Sequence, residues 1–381
     1  MKLLVSICFV LFLQIEITAQ KHTIIGVVLE ANTKQPVIGA TVFINNTSKY
    51  SVTDSEGKYS IAEIEDEYFV IICSKKGYET LEYTFTAKAN KSSIRFEMTP
   101  FELEKPLSES DLKKQQDRWG STFTSMFLGE SPHAGGCEIA NPEVIRFIYN
   151  DSSKTLEIYT VEPLIIFNEA LGYMITCIID DYFLTANGDM MYKVFKWYKP
   201  LTTKKTEIAE SWVNERKVVY SNSILHFMRA LYADSLKQQG FEVKQITRVY
   251  TDDPSYNKLS SFMKETNTEL FNKSVVTDKD NRTYIGVIDK KPVASSKFRN
   301  ADSIITLFGS NKILQLVSKN YFAIEGYNQR NASLDAASYL VLKENRKIRI
   351  EPSGAYYKEG DFNVAGYWFL QRLADTLPFD Y

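Results

Sequence analysis

A mainly β protein with α+β character is predicted. A seven-stranded β-sandwich covers residues 22–100, a linker covers 101–109, and a larger α+β domain with an antiparallel sheet and a long helix covers 110–381. Three observations predict this. Residues 22–100 consist of short β-branched and aromatic runs divided by turn segments at 32–36, 45–48 and 54–57. The hydrophobic period then changes to a helical one over 111–127 and again over 207–239. Strand-like runs fill the space between and after these helical stretches, as expected for an α+β unit rather than an alternating α/β one.

Ahead of the sandwich, Met1-Lys2 opens a short positive start and residues 3–13 are apolar, with Gln14, Glu16, Thr18 and Gln20 following. This is the layout of a signal peptide over residues 1–19, with cleavage expected near Ala19. The apolar run is too short to remain as a membrane anchor, and no later run suits a transmembrane helix, so none is expected in the mature chain. The chain has 44% hydrophobic and 24% charged residues and a formal net charge of −2, with signs interspersed, so nucleic acid is excluded as an expected partner. Cys73, Cys137 and Cys177 would remain after cleavage. Cys137 and Cys177 could pair in an oxidising compartment, and three buried thiols are the simpler alternative.

Within the sandwich, 22–30 is the first strand and 41–44 the second. Residues 58–61, 69–74, 79–86 and 93–98 supply later strands, and 69–74 is apolar enough to be covered on both faces. Ser110 is placed to cap the helix over 111–127, with Asp111 in its first turn and Gly129 ending it. Strands are then expected at 143–149, 156–161, 164–167, 173–179, 182–184 and 191–198. Residues 207–239 read as one helix, or as two broken near 221–223, closed by Gly240. A strand follows at 241–250 and a helix at 260–270. Further short strands include 285–288, 321–326, 338–342 and 347–350, and a last short helix spans 367–374.

Gly26, Val28, Pro36, Gly39, Ala40, Val42, Thr53-Asp54, Gly57-Lys58-Tyr59 and Gly77-Tyr78 form an ordered set over about a fifth of the chain. The set resembles the carboxypeptidase regulatory-like family, a prealbumin-like or transthyretin-like sandwich. The remainder, including 137–142, 168–173, the Trp212-to-Arg229 series and the 366–381 ending, resembles a group of exported envelope proteins named for that same domain. The resemblance implies a non-catalytic module in the periplasm or outer envelope of a Gram-negative bacterium, and no reaction.

The residues themselves offer little catalytic chemistry. His22, His133 and His226 are the only histidines, and none stands in a zinc-peptidase motif, so no metal and no cofactor is expected. The segment Gly129-Glu130-Ser131-Pro132-His133 has only a superficial likeness to a nucleophile elbow, and a helix-ending turn with an exposed His133 is the plainer reading. Cys137 with His133 or His226, and Glu162 with Asp180-Asp181, are the other catalytic candidates. The most suggestive surface is Trp212, Arg216 and Tyr220, spaced by four along one helix side, with His226 and Arg229 nearby. It suits a ligand face, with arginines for an anion and aromatics for a sugar or peptide. It suits still better a core stripe with Arg216 stacked or ion-paired. The expectation is a non-catalytic envelope binding or scaffolding protein whose partner is an envelope protein or a glycan. A hydrolase of envelope peptide or glycan, using a carboxylate or Cys137, is the alternative.

Overall fold

The computed structural model describes residues 21–87, 93–102, 105–185, 190–266, 275–277, 282–288, 304–305, 312–318, 337–342, 348–357 and 362–381. The leader at 1–19, the turn that Asn187-Gly188-Asp189 predicts between the strands at 182–184 and 191–198, and the strand expected at 321–326 lie outside the described residues.

Seven strands build the sandwich: β1 His22–Glu30, β2 Thr41–Ile44, β3 Tyr50–Val52, β4 Lys58–Ile64, β5 Tyr68–Ser74, β6 Leu81–Thr86 and β7 Ser93–Met98. One sheet runs β4-β1-β7, with β1 and β7 parallel, and the other runs β3-β2-β5-β6. Alternate residues of β4 and β7 face inward, so Tyr59, Ile61, Ile94, Phe96 and Met98 meet Phe69, Ile71 and Phe85 from the facing sheet. Gly26 is required here: a Cβ would overlap the Ile94 carbonyl and the Tyr59 ring, whose hydroxyl donates to that same carbonyl at 3.0 Å.

The next helical stretch runs unbroken as α1 Glu109–Gln115, a π-helical turn Gln116–Gly120, and α2 Ser121–Leu128. Its cap is Ser108 rather than Ser110: the Ser108 Oγ accepts from the Asp111 amide at 3.2 Å. The next strands are β8 Cys137–Ile139, β9 Ile145–Asn150, β10 Thr155–Thr160, β11 Leu164–Asn168, β12 Tyr173–Thr185 and β13 Met190–Pro200. They form one antiparallel sheet. The two runs expected at 173–179 and 182–184 are a single strand: β12 passes through a bulge between Ile179 and Asp181 without leaving the sheet. Its first half pairs with β11, its second half with β10, and β13 follows it along the other side.

The helical period after β13 is broken where Ser221-Asn222-Ser223 interrupts it. Helix α3 spans Thr206–Tyr220 and α4 spans Ile224–Tyr232. Asn222 takes a left-handed φ of 66°, and the Ser223 hydroxyl accepts the His226 amide to restart the helix. Helix α4 buries Phe227, Met228, Ala230 and Leu231 against a second antiparallel sheet. That sheet has the order β15 Val275–Thr277, β16 Thr283–Ile288, β14 Phe241–Tyr250, β18 Lys312–Ser318, β19 Ala337–Leu342 and β22 Phe362–Gly366. A small sheet of β17 Ile304–Ile305, β20 Ile348–Ile350 and β21 Tyr356–Tyr357, with helices α5 Tyr256–Thr266 and α6 Tyr367–Leu370, completes the described elements.

The sandwich is packed onto the first large sheet. The 45–48 turn inserts against β13: the Asn46 amide donates to the Lys196 carbonyl at 2.8 Å, and the Tyr198 amide donates to the Thr47 carbonyl at 2.9 Å. Phe43 meets Trp197 with ring centres 4.4 Å apart, sealed by Ile72 and Phe195. No described helix is long and apolar enough to cross a membrane.

Candidate functional site

A groove of about 480 Å³ lies where α3 passes the ends of α2 and β11. Helix α3 gives one wall as two adjacent rows at helical spacing, Glu207-Ser211-Glu215 and Ile208-Trp212. The facing wall is Pro132-His133, from the turn that leaves α2, and Glu169-Ala170, from the turn that leaves β11. Gly129 makes the first turn possible: with φ at 98° it reverses the chain out of α2.

His133 is the centre of this wall and is buried, not exposed as the turn alone suggested. Its Nδ1 meets Asp375 Oδ1 at 2.7 Å and its Nε2 meets Glu215 Oε2 at 3.1 Å. Both partners accept, so the imidazole satisfies both only by donating from both nitrogens, as the cation. Burial pushes its pKa down, but the hydrogen bonds and charges of Asp375 and Glu215 outweigh this, leaving it above the ordinary histidine value. The Ser131 hydroxyl donates to the same Asp375 oxygen at 2.9 Å.

This geometry is not a nucleophile–His–Asp relay. Ser131 bonds to the carboxylate rather than to the imidazole, and the histidine nitrogen that would activate it is taken by Glu215. The Cys137 thiol points to the His133 carbonyl at 3.5 Å, and burial, with the Asp375 charge adding, pushes it up to about 12, far from a reactive thiolate. Cys73, Cys137 and Cys177 are all free, so the pairing weighed for Cys137 and Cys177 is not formed. Among the described residues no three His, Cys, Asp or Glu side chains are grouped to hold a metal ion. The other carboxylates singled out from sequence lie elsewhere: Glu162 pairs with Lys76 of the sandwich at 2.5 Å, and Asp180 pairs with Lys193 at 3.0 Å.

The helix residues expected to share a ligand face separate. Trp212 reaches the groove: its Nε1 donates to the Glu169 carbonyl at 2.7 Å and its ring lies on Gly172 so closely that a Cβ there would enter it. Arg216 turns the other way, giving Nε to the Leu171 carbonyl at 2.7 Å and Nη2 to the Gly172 carbonyl at 3.0 Å, with its guanidinium 4.1 Å over the Tyr173 ring. Tyr220 packs at a tilt against His226 and Tyr381, with ring centres 4.7 and 5.7 Å away. His226 accepts the Asn222 amide at Nδ1 and meets Gln239 Oε1 at Nε2, which requires the neutral ring, and burial lowers its pKa. Arg229 holds the Ser353, Phe379 and Tyr381 carbonyls at 2.6, 3.1 and 2.9 Å. The stacked-arginine reading of Arg216 thus describes its position, and of the five only Trp212 lines the groove. The residues missed on α3 are Ile208, one turn before Trp212 on the same row, and Glu207, Ser211 and Glu215, on the adjacent row. The repeat of the last three at i, i+4 and i+8 was visible, but a polar row on a helix is ordinarily a solvated face.

Residues 24–105 match the family model of the CarboxypepD_reg-like domain. The same region is 32% identical over 89 residues to the TonB-dependent receptor SusC of Bacteroides thetaiotaomicron, an alignment covering 23% of this chain and 9% of the receptor. Among solved structures, a cohesin–X-dockerin complex of Acetivibrio cellulolyticus is similar at 17% identity, covering 24% of this chain and 70% of that one, with a TM-score of 0.19. A candidate carbohydrate binding protein of Bacteroides uniformis is similar at 9% identity, covering 47% and 79%, with a TM-score of 0.17. Neither structural likeness identifies a ligand.

Proposed function

We propose that this is a non-catalytic protein of the bacterial envelope that binds a glycan in the groove beside Trp212. The observation that carries the reading is the fixed Trp212 ring flanked by the Glu207, Ser211 and Glu215 row, a planar apolar wall beside acceptors for sugar hydroxyls. The neighbouring hydroxyl and thiol are directed to internal acceptors, which favours holding a ligand over attacking one. Envelope location draws on the CarboxypepD_reg-like domain and on the likeness of that region to a TonB-dependent receptor. In this reading the sandwich presents the groove-bearing part to a neighbouring envelope component.

The test is a glycan array probed with the purified protein and with Trp212→Ala, alongside fractionation of the native cells. Binding to a restricted set of envelope glycans, lost in the variant, together with recovery from the envelope fraction, supports the proposal. Catalytic cleavage of a bound glycan that disappears in Glu215→Gln replaces it with the hydrolase reading, for which the Asp375–His133–Glu215 line would supply the carboxylate site.

A further inference from the structure

We infer that the groove takes an extended glycan carrying protonated amino groups, in preference to a neutral or anionic one; this rests on the glycan reading above. The charges on its walls are Glu169, Glu207 and Glu215 against a single cation, His133. That cation is already held between two carboxylates, Asp375 behind it and Glu215 at its side, so it has no free donor for an incoming anion. Arg216, on the same helix, gives its donors to the Leu171 and Gly172 carbonyls. An anionic ligand would therefore enter a negative field with only small neutral donors such as the Ser211 hydroxyl to meet it, whereas an ammonium group finds carboxylates and an aromatic face together.

The Trp212 ring is preorganised for that contact. Its indole N–H is spent on the Glu169 carbonyl and one side of the ring is pressed to Gly172, so the ring does not have to be ordered when a ligand arrives. Spacing adds the requirement for length. Glu207 and Glu215 are eight residues apart on α3, about 12 Å along the axis at about 1.5 Å per residue. One ammonium cannot reach both, so a ligand that satisfies the row carries its amines along a chain.

The experiment compares two probes with the same backbone in titration calorimetry and Trp fluorescence: a glucosamine pentamer and its fully N-acetylated counterpart, in mildly acidic low-salt buffer where the amines are charged. The mature protein is used intact, with Glu207→Gln and Trp212→Ala as variants and circular dichroism to verify folding. The expected result is that the free-amine pentamer binds at least roughly tenfold tighter, that the gap narrows as salt is raised, and that Glu207→Gln removes most of it. Equal or tighter binding of the N-acetylated pentamer overturns the amine preference and leaves the glycan reading standing. Binding of neither pentamer overturns the amine preference, while the array of the preceding proposal separately decides whether any glycan binds. Free-amine binding that is unchanged in both variants places the site elsewhere and overturns the inference.

Discussion

His133 is buried and His226 half-buried, and their neighbours set opposite protonation states. Two carboxylates face His133, whereas a backbone amide and a glutamine face His226. The raised pKa of His133 makes a signed prediction. A group that holds its proton more tightly when folded contributes stability that is fully present below its unfolded value of about 6.5 and is lost as pH rises through the folded one. His133→Gln should therefore lower Tm more in mildly acidic than in alkaline buffer, and a pH-independent loss would refute the cationic assignment. Asp375→Asn keeps an acceptor oxygen for His133 and Ser131 but removes the charge that favours the imidazolium and puts an amide donor in place of one carboxylate oxygen, so NMR titration should show the imidazole pKa falling, with about 1–3 kcal/mol of stability lost. At Gly172 two penalties coincide: φ is 65°, and the Cβ of Gly172→Ala would enter the Trp212 ring. That variant should lose about 1–3 kcal/mol and shift Trp emission, the direct sign that the ring has left its seat.

At the scale of elements, α3 and α4 show what the sequence could and could not reveal. Their break at 221–223 was legible as one of two alternatives, because three polar residues interrupt the helical period and Ser223 is a ready cap, while the helix expected as far as 239 ends at Tyr232. The sandwich strands β1, β2 and β7 were legible to the residue, since β-branched runs between turn signals admit little else. Strand β3 was missed because Tyr50–Val52 is too short to show alternation. The Asn45–Ser48 segment read only as a turn, because its partner, β13, lies about 150 residues away and pairing at that range leaves no local pattern. The groove was legible only at Trp212, for a similar reason: its facing wall comes from two separated segments, and Asp375 behind His133 is 242 residues distant. Arg229 illustrates how strongly such remote contacts bind elements together, since one guanidinium serves three carbonyls from two segments. Arg229→Ala should cost about 2–4 kcal/mol by urea denaturation, because the carbonyls lose their donor in a half-buried site. Arg229→Lys should recover little, as an ammonium lacks the planar fork.

At the scale of the whole molecule, two hydrogen-bonded junctions stand out among the ties between the sandwich and the rest of the described residues. The β13 edge takes the 45–48 turn, and the 65–67 loop meets the segment between β20 and β21. At the second place Asp66 is buried with its Oδ2 accepting the Ser353 hydroxyl at 2.7 Å, and Glu67 gives its amide to Glu351 at 3.2 Å. Glu351 is itself buried and bonded to Arg349 at 2.6 Å, and burial raises its pKa. Burial is also the main reason that Asp66 is pushed up to about 6, with the charges of Glu351 and Glu65 adding to it against the Ser353 hydrogen bonds. In the unfolded chain the same carboxyl titrates near 3.9. The folded form therefore holds the Asp66 proton more tightly, and the stability this provides is complete in acid and is lost as pH rises through about 6. Above that pH a charged carboxylate sits at the junction at a cost on the order of 2–3 kcal/mol, with Glu351 close enough to oppose it. Asp66→Asn keeps an acceptor for Ser353 and removes the charge. Its Tm should match or fall below that of the parent in acid and exceed it above neutrality, with the crossover near the Asp66 titration. Because every titrating group outside this junction is common to both proteins, the difference between them reports Asp66 together with its interaction with Glu351. A difference that stays flat with pH would mean that Asp66 is solvated and that the sandwich does not close over it.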